Sequence, residues 1–285
     1  MNFFEFFENY KAFVGAFSIA MATVIAVIIN LNHSRRTEHR LKKEKNATFS
    51  SAIAAELLDN AHNLMELHLE IARKGAKLQR INQFKSFNFE VYKNVLTEIG
   101  RLGPALSFMV VDIYGDLQKI NKYLEFTPEK DLKADKHEIL HDIQIVLSKT
   151  LTGSAVMSFY ADYMLGAKWM NSVTNQRILW LENTFDSFCQ YVDTAEQAHD
   201  FYRFDENVDF TQRLQNKTHQ AKARELFVSV EKILRMIPKK RAWRVQLVLR
   251  AFSYKMQRTL LDFLDLETPL YIIKSEKEYR EFLPN

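Results

Sequence analysis

Residues 12–31 read AFVGAFSIAMATVIAVIINL, twenty positions without a charge, of which only Ser18, Thr23 and Asn30 are clearly polar. At about 1.5 Å rise per residue, a helix of that length is roughly 30 Å long, the hydrocarbon thickness of a bilayer. The stretch therefore predicts a single transmembrane helix, and nothing after it is apolar enough to follow it into lipid. The preceding residues carry Phe3, Phe4, Phe6, Phe7 and Tyr10, rings suited to a membrane interface. They also carry Glu5 and Glu8, where a secretory signal peptide would begin with basic residues. Ala20-Met21-Ala22 imitates a cleavage site, but apolar sequence continues to Ile29, so an uncleaved anchor is expected.

Behind the anchor, Arg35, Arg36, Arg40, Lys42, Lys43 and Lys45 outnumber Glu38 and Glu44. Basic flanks stay on the cytoplasmic side. The expected placement is thus the inner membrane, with the N-terminus outside and the C-terminal body in the cytoplasm. Such a cluster can also attract anionic headgroups of the bilayer. The domain reading is 1–46 for the N-terminal segment, anchor and basic stretch, and 47–285 for a helical body.

Composition agrees with helices. Only seven glycines and five prolines occur in 285 residues, so turns are scarce. A lone cysteine, Cys189, excludes an internal disulfide framework and fits a reducing compartment. Charge is segregated: 182–210 holds eight acids against Arg203, and 211–258 holds thirteen Lys and Arg against Glu225 and Glu231. Two such segments are expected to pair as neighbouring helices.

Along the body, Ile53, Leu57, Leu64, Leu67, Ile71 and Leu78 recur at helical spacing, with Asn60 and His68 interrupting the stripe. In this helix, from about Phe49 to Asn82, Glu56, Asp59, Asn63, Glu66, Glu70, Lys74 and Lys77 are assigned to the opposite, polar side. With no breaker between, anchor and first body helix are expected to run nearly continuously. A helix from about Phe89 is expected to stop at Ile99 with Gly100 as its left-handed cap. Pro104 then opens the next, its inner face being Leu106, Val110, Ile113, Leu117 and Leu124. Thr127-Pro128-Glu129 starts another, in which Gly153 and Gly166 are the candidate breaks. From about Lys240 to Leu264, Val245, Leu249, Phe252, Met256, Leu260 and Phe263 form one stripe. Trp243, Leu247, Tyr254 and Leu261 form a second, so this helix belongs inside a bundle. Arg241, Arg244, Lys255 and Arg258 share the face between them, a candidate interaction surface. Ser275-Glu276-Lys277-Glu278 has the pattern of a capping box that starts a last helix.

Ala55-Glu56-Leu57-Leu58-Asp59-Asn60, Val91-Tyr92, and Ile99-Gly100-Arg101-Leu102-Gly103-Pro104-Ala105-Leu106 through Val110-Val111 to Tyr114 resemble stretches of uncharacterised bacterial single-pass membrane proteins. The resemblance covers about the first 125 residues. It implies a bacterial membrane origin and brings no activity.

His137-Glu138-Ile139-Leu140-His141 matches H-E-x-x-H, the spacing that places two imidazoles on one helical face to hold zinc. Here Leu132, Ile139, Ile143, Val146 and Leu147 form the apolar face, and His137 and His141 fall opposite with Gln144 and Ser148. A third ligand is required, for which Asp162 and Glu182 are the conceivable donors. No P-loop and no nucleophile elbow is present. In the basic 211–258 stretch, Trp243, Phe252 and Tyr254 could stack on nucleic acid, but they also complete the apolar stripes.

The expected fold class is all-α: a single N-terminal transmembrane helix followed by a cytoplasmic helical bundle. The expected function is a scaffold or sensor in a bacterial or phage-encoded membrane response. It needs no cofactor, its partners being the lipid bilayer and other proteins or a second copy. The rival readings are a membrane zinc peptidase using His137, Glu138 and His141, and a nucleic-acid-binding module through 211–258.

Overall fold

The chain was described from a computed structural model, which covers residues 3–72, 87–126, 136–165, 242–264 and 266–280. Side chains are described from Met21 onward, Ala22 and a few further positions excepted. Six α-helices occupy these residues: α1 Phe3–Ala72, α2 Glu90–Val95, α3 Pro104–Phe126, α4 Lys136–Leu165, α5 Ala242–Phe263 and α6 Leu270–Glu278. A 3₁₀ helix, Leu96–Leu102, joins α2 to α3. No strand occurs among the described residues, and the fold is all-α. The chain divides into two compact units, Met1–Lys45 and Asn46–Asn285.

Helix α1 is uninterrupted because nothing between residues 3 and 72 breaks it. That stretch has no proline, and Gly15 is its only glycine. The part in the second unit carries the predicted stripe: Ile53, Leu57, Leu64, Leu67 and Ile71 are all buried. Lys74, Lys77 and Leu78 lie outside the described residues. The polar side is not as expected, because Glu56 and Glu70 are 4% and 6% exposed. Neighbours cover α1 on more than its apolar stripe, and polar residues on the covered flank must find partners there.

The α2–α3 connection also departs from expectation. A regular helix lasts only to Val95, and the chain then tightens into 3₁₀ turns as far as Leu102. Gly100 lies within those turns. The residue with positive φ is Gly103, at φ 85° and ψ 159°, a region open essentially to glycine alone. Its N–H donates to the Gly100 carbonyl, and its carbonyl accepts from Ser107 N–H. The Ser107 hydroxyl reaches back to Ile99 O at 2.6 Å, so both sides of the bend are tied. Pro104 then opens α3 as expected, and Leu106, Val110, Ile113, Leu117 and Leu124 are buried.

Helix α4 is the centre of the bundle: it packs on both α3 and α5, and every residue from Thr150 to Asp162 is buried. A helix wrapped on all sides would ordinarily be wholly apolar. Here it carries Ser148, Thr150, Thr152 and Ser154, whose hydroxyls donate to carbonyls. The first three use their own helix, at Ile145, Val146 and Ser148 respectively. Ser154 crosses to Ala54 O on α1 at 2.7 Å. Ser148, expected on the polar side, is fully buried by this means. Gly153 does not break the helix. It is a seat where the tips of Ile113 of α3 and Leu57 of α1 approach the α4 backbone, in the space a Cβ would occupy. Gly166 and Thr127-Pro128-Glu129 lie outside the described residues.

Helix α5 buries Val245, Leu249, Phe252, Met256 and Leu260, with Phe252 tilted against Phe159 at 5.3 Å. Leu261 of the second stripe is buried and Tyr254 half-buried; the side chains of Trp243 and Phe263 are outside the described residues. Helix α6 begins at Leu270 behind Pro269, whose carbonyl accepts from Ile272 N–H. Ser275-Glu276-Lys277-Glu278 is thus the end of α6 and not the start of a helix. The helix had begun a turn and a half earlier, leaving no free N-terminal amides for that box to cap.

Candidate functional site

Two features stand out from an ordinary bundle, one in each unit. In the first unit, α1 presents Met21, Val24, Ile25, Val27, Ile28, Ile29 and Leu31, each 46–61% exposed. At about 100° per residue they fall within an arc of roughly 200°, with Ala22, Thr23, Ala26 and Asn30 on the remaining side, an apolar surface wider than one neighbouring helix ordinarily covers. Four residues past Leu31 the basic stretch begins, and Arg35, Arg36, Arg40, Lys42, Lys43 and Lys45 are all exposed. Two of them are answered within the helix, Arg40 by Glu44 at 2.7 Å and Lys42 by Glu38 at 2.6 Å. Both pairs are solvent-facing, and such i,i+4 contacts are worth only about 0.3–0.5 kcal/mol. Among the described residues no helix is long and apolar enough to cross a membrane. Ten of the twenty side chains of 12–31 (12–20 and Ala22) lie outside those described.

In the second unit, Glu56 on α1 is buried and accepts three hydrogen bonds. Its Oε2 takes Val91 N–H at 2.6 Å; its Oε1 takes Tyr92 N–H at 3.0 Å and Tyr114 O–H at 2.5 Å. The two amides belong to the first turn of α2, where helical N–H groups have no partner of their own. One turn along α1, Asn60 pairs with the backbone of Asn88 in both directions: Nδ2 donates to its carbonyl at 2.8 Å, and Oδ1 accepts its N–H at 2.7 Å. Asn88 Oδ1 in turn accepts from Glu90 N–H. Tyr92 stacks on Tyr114 with ring centroids 4.1 Å apart. Burial first, then the Glu56 carboxylate, raises the Tyr114 pKa far above that of free tyrosine; burial raises Tyr92 as well. With both oxygens engaged by three donors, Glu56 is a clamp holding α2 and α3 to α1. The clamp is assembled from separate pieces of sequence: Val91, Tyr92 and Tyr114 lie 35, 36 and 58 positions from Glu56, and Asn88 lies 28 from Asn60.

A second polar cluster joins α3 and α4. Lys149 Nζ bridges Asp112 at 2.9 Å and Asp116 at 2.6 Å, and Lys119 adds 2.8 Å to Asp116. Burial pushes the Asp116 carboxyl up, but the hydrogen bonds from Lys119 and Lys149 prevail and hold it below the usual range. Burial likewise lowers Lys149, and the two carboxylates more than restore it. Partial burial raises the pKa of Tyr271 of α6, which lies within electrostatic reach of Lys149, Asp112 and Asp116. At the other end of α6, Tyr279 stacks on Tyr254 at 5.9 Å, and the Arg250 guanidinium lies over both rings while donating to Tyr254 Oη.

The residues nominated from sequence separate. Glu138 and His141 are exposed, His141 with its Nδ1 3.7 Å from Asp142; the His137 side chain lies outside the described residues. Asp162 is on the same helix 21 positions beyond His141, roughly 30 Å along the axis, and cannot join it around one ion. Glu182 is outside the described residues, and among those described no group of three His, Cys, Asp or Glu is placed to hold a metal. On α5, Lys255 is half-buried and Arg258 exposed, 4.0 Å from Asp262 of the same helix. Arg241 and the Arg244 side chain lie outside the described residues, as do 182–210 and Cys189. Phe252 is buried against Phe159 and has no free face for a base, and Tyr254 is half-buried with Tyr279 stacked on it.

No family model matches the chain, and no curated protein or solved structure is significantly similar to it.

Proposed function

We propose that this chain is a membrane-anchored helical interaction protein, a scaffold or sensor of bacterial or phage-encoded origin. It crosses the inner membrane once, with its N-terminus outside and its bundle in the cytoplasm. The observation that carries this reading is the exposure of Met21, Val24, Ile25, Val27, Ile28, Ile29 and Leu31 over more than half the circumference of α1. Water disfavours such a surface by about 25 cal/mol per Å². Lipid is the medium that covers a helix on every side at once. The basic stretch that follows supports the orientation. The Glu56 and Lys149 clusters use their polar groups in contacts between helices. The body is accordingly assigned to binding other proteins or a second copy.

Two measurements test the reading. After carbonate extraction of cell membranes the chain should stay in the pellet. A membrane-impermeant thiol reagent should label a cysteine placed at Asn2 in whole cells and miss one placed at exposed Lys93. Release by carbonate would remove the anchor, and inverted labelling would remove the orientation. Crosslinking in intact cells, followed by identification of the captured chains, would supply the partner.

A further inference from the structure

The basic stretch is not spread evenly round its helix. At about 100° per residue, Arg35, His39, Lys43, Arg36 and Arg40 fall, in that angular order, within one arc of roughly 140°; Lys42, paired with Glu38, lies just beyond Arg35, and Lys45 lies further round. Glu38 and Glu44 lie outside the arc, one on each flank, and Leu41, 60% exposed, lies opposite. Of the arc's cations, Arg40 has Glu44 as a partner, while Arg35, Arg36 and Lys43 form no ion pair among the described residues. Setting orientation in a membrane requires basic residues on the correct side of the anchor and is indifferent to their angle. A cationic arc with its acids moved aside is the arrangement for holding anionic groups.

We propose that this arc, Arg35, Arg36, His39, Arg40 and Lys43, is a binding face for the headgroup phosphates of anionic phospholipids in the cytoplasmic leaflet. The inference rests on the membrane-anchored reading. Lipid is favoured over nucleic acid by continuity: Arg35 stands one helical turn beyond Leu31, the last residue of the exposed apolar stretch, so a lipid meeting that stretch with its chains meets the arc with its headgroup. Arginine offers forked donors that suit phosphate oxygens, and two of the three unpaired cations are arginine. Three cations near an anionic surface are worth roughly tenfold to a hundredfold in partitioning.

The test uses the full chain, reconstituted into phosphatidylcholine vesicles doped with phosphatidylglycerol, re-extracted in mild detergent at low salt, and assayed for the lipids that stay with it. Phosphatidylglycerol should be enriched over its share of the vesicle by at least about fivefold. The enrichment should fall to that share in Arg35→Gln/Arg36→Gln/Lys43→Gln, whose substituted positions are exposed, and should persist in Arg35→Lys/Arg36→Lys. Retention in proportion to the vesicle, enrichment unchanged in the triple variant, or displacement by millimolar inorganic phosphate would each overturn the proposal. A chain that enters phosphatidylcholine vesicles without preferring phosphatidylglycerol fails this inference alone. One that enters no vesicle fails the anchor reading and takes this inference with it.

Discussion

Glu56 shows how much one buried side chain can organise. Removing it as Glu56→Ala strands the N–H groups of Val91 and Tyr92 and the Tyr114 hydroxyl, each a buried or half-buried donor. An unsatisfied buried donor costs about 1–3 kcal/mol, so the variant should lose roughly 3–5 kcal/mol. Tyr114→Phe leaves the carboxylate its two amides and should lose only about 1–2 kcal/mol. In a body of this size each kcal/mol moves the melting temperature by about 2–4 °C, readable by near-UV circular dichroism of the full chain in detergent. The double variant should lose less than the sum, because the two residues share one bond. Lys149 gives a pH prediction. The Asp116 pKa is depressed, so its contribution is present above the ordinary value of 3.8 and is lost as pH falls through the lower folded value. The Lys149 pKa is raised, so its contribution holds below the ordinary 10.5 and is lost as pH rises through the higher folded value. Melting temperature should be flat between those limits as far as this cluster is concerned. Lys149→Met should lower it by about 1–2 kcal/mol equivalent, between the values for exposed and buried pairs, and should weaken the acid-side fall.

At the scale of elements, the glycines separate local backbone need from packing need. Gly103→Ala forces a side chain into a glycine-only region and should cost about 1–3 kcal/mol. Gly100→Ala meets nothing within 4 Å and sits in a helical turn, so it should be neutral or slightly stabilising. Gly153→Ala must push Ile113 and Leu57 aside and should cost about 1–3 kcal/mol through overpacking. Urea midpoints of the three variants would rank them. The sequence permits either glycine to be the cap, since both follow apolar residues near a proline. What decides is that the chain tightens after Val95 into 3₁₀ turns that run through Gly100 and leave Gly103 at the bend. The stripes of α1, α3 and α5 were legible, being periodic and anchored by large apolar side chains. The burial of Glu56 and Ser148 was not, because periodicity assigns a polar residue to solvent and cannot show a partner contributed by another helix. The start of α6 was misplaced for a related reason: Ser275 through Glu278 satisfies a local pattern that the helix had already made redundant.

For the whole molecule, the all-α class follows from few glycines, few prolines and long periodic runs, and all of those are visible without coordinates. The apolar stretch of α1 is equally visible in sequence, since no fold-dependent contact is needed to recognise apolar residues over more than half of a helix's circumference. Its prediction is correspondingly simple. Val24→Arg/Ile28→Arg places two cations on one side of that stretch, each costing about 2.5–3.5 kcal/mol near the centre of a bilayer. The carbonate-resistant fraction should fall sharply, while the thermal unfolding of the bundle in detergent should stay within about 1 °C of the parent. A parallel loss of bundle stability would mean that this stretch contributes to folding and is not solely an anchor.

The hydrogen bond from Ser154 to the Ala54 carbonyl also has a meaning in time. Its two ends are 100 residues apart in sequence, and Leu57 likewise waits for Gly153. At about 5–20 residues per second, the ribosome needs roughly 5–20 s to deliver α4 after the covered side of α1 has been made. Throughout that interval Ile53, Leu57 and Leu64 have no finished core to enter. Nascent chains arrested before α4 has emerged should therefore lose the second half of α1 to a protease that spares the completed protein.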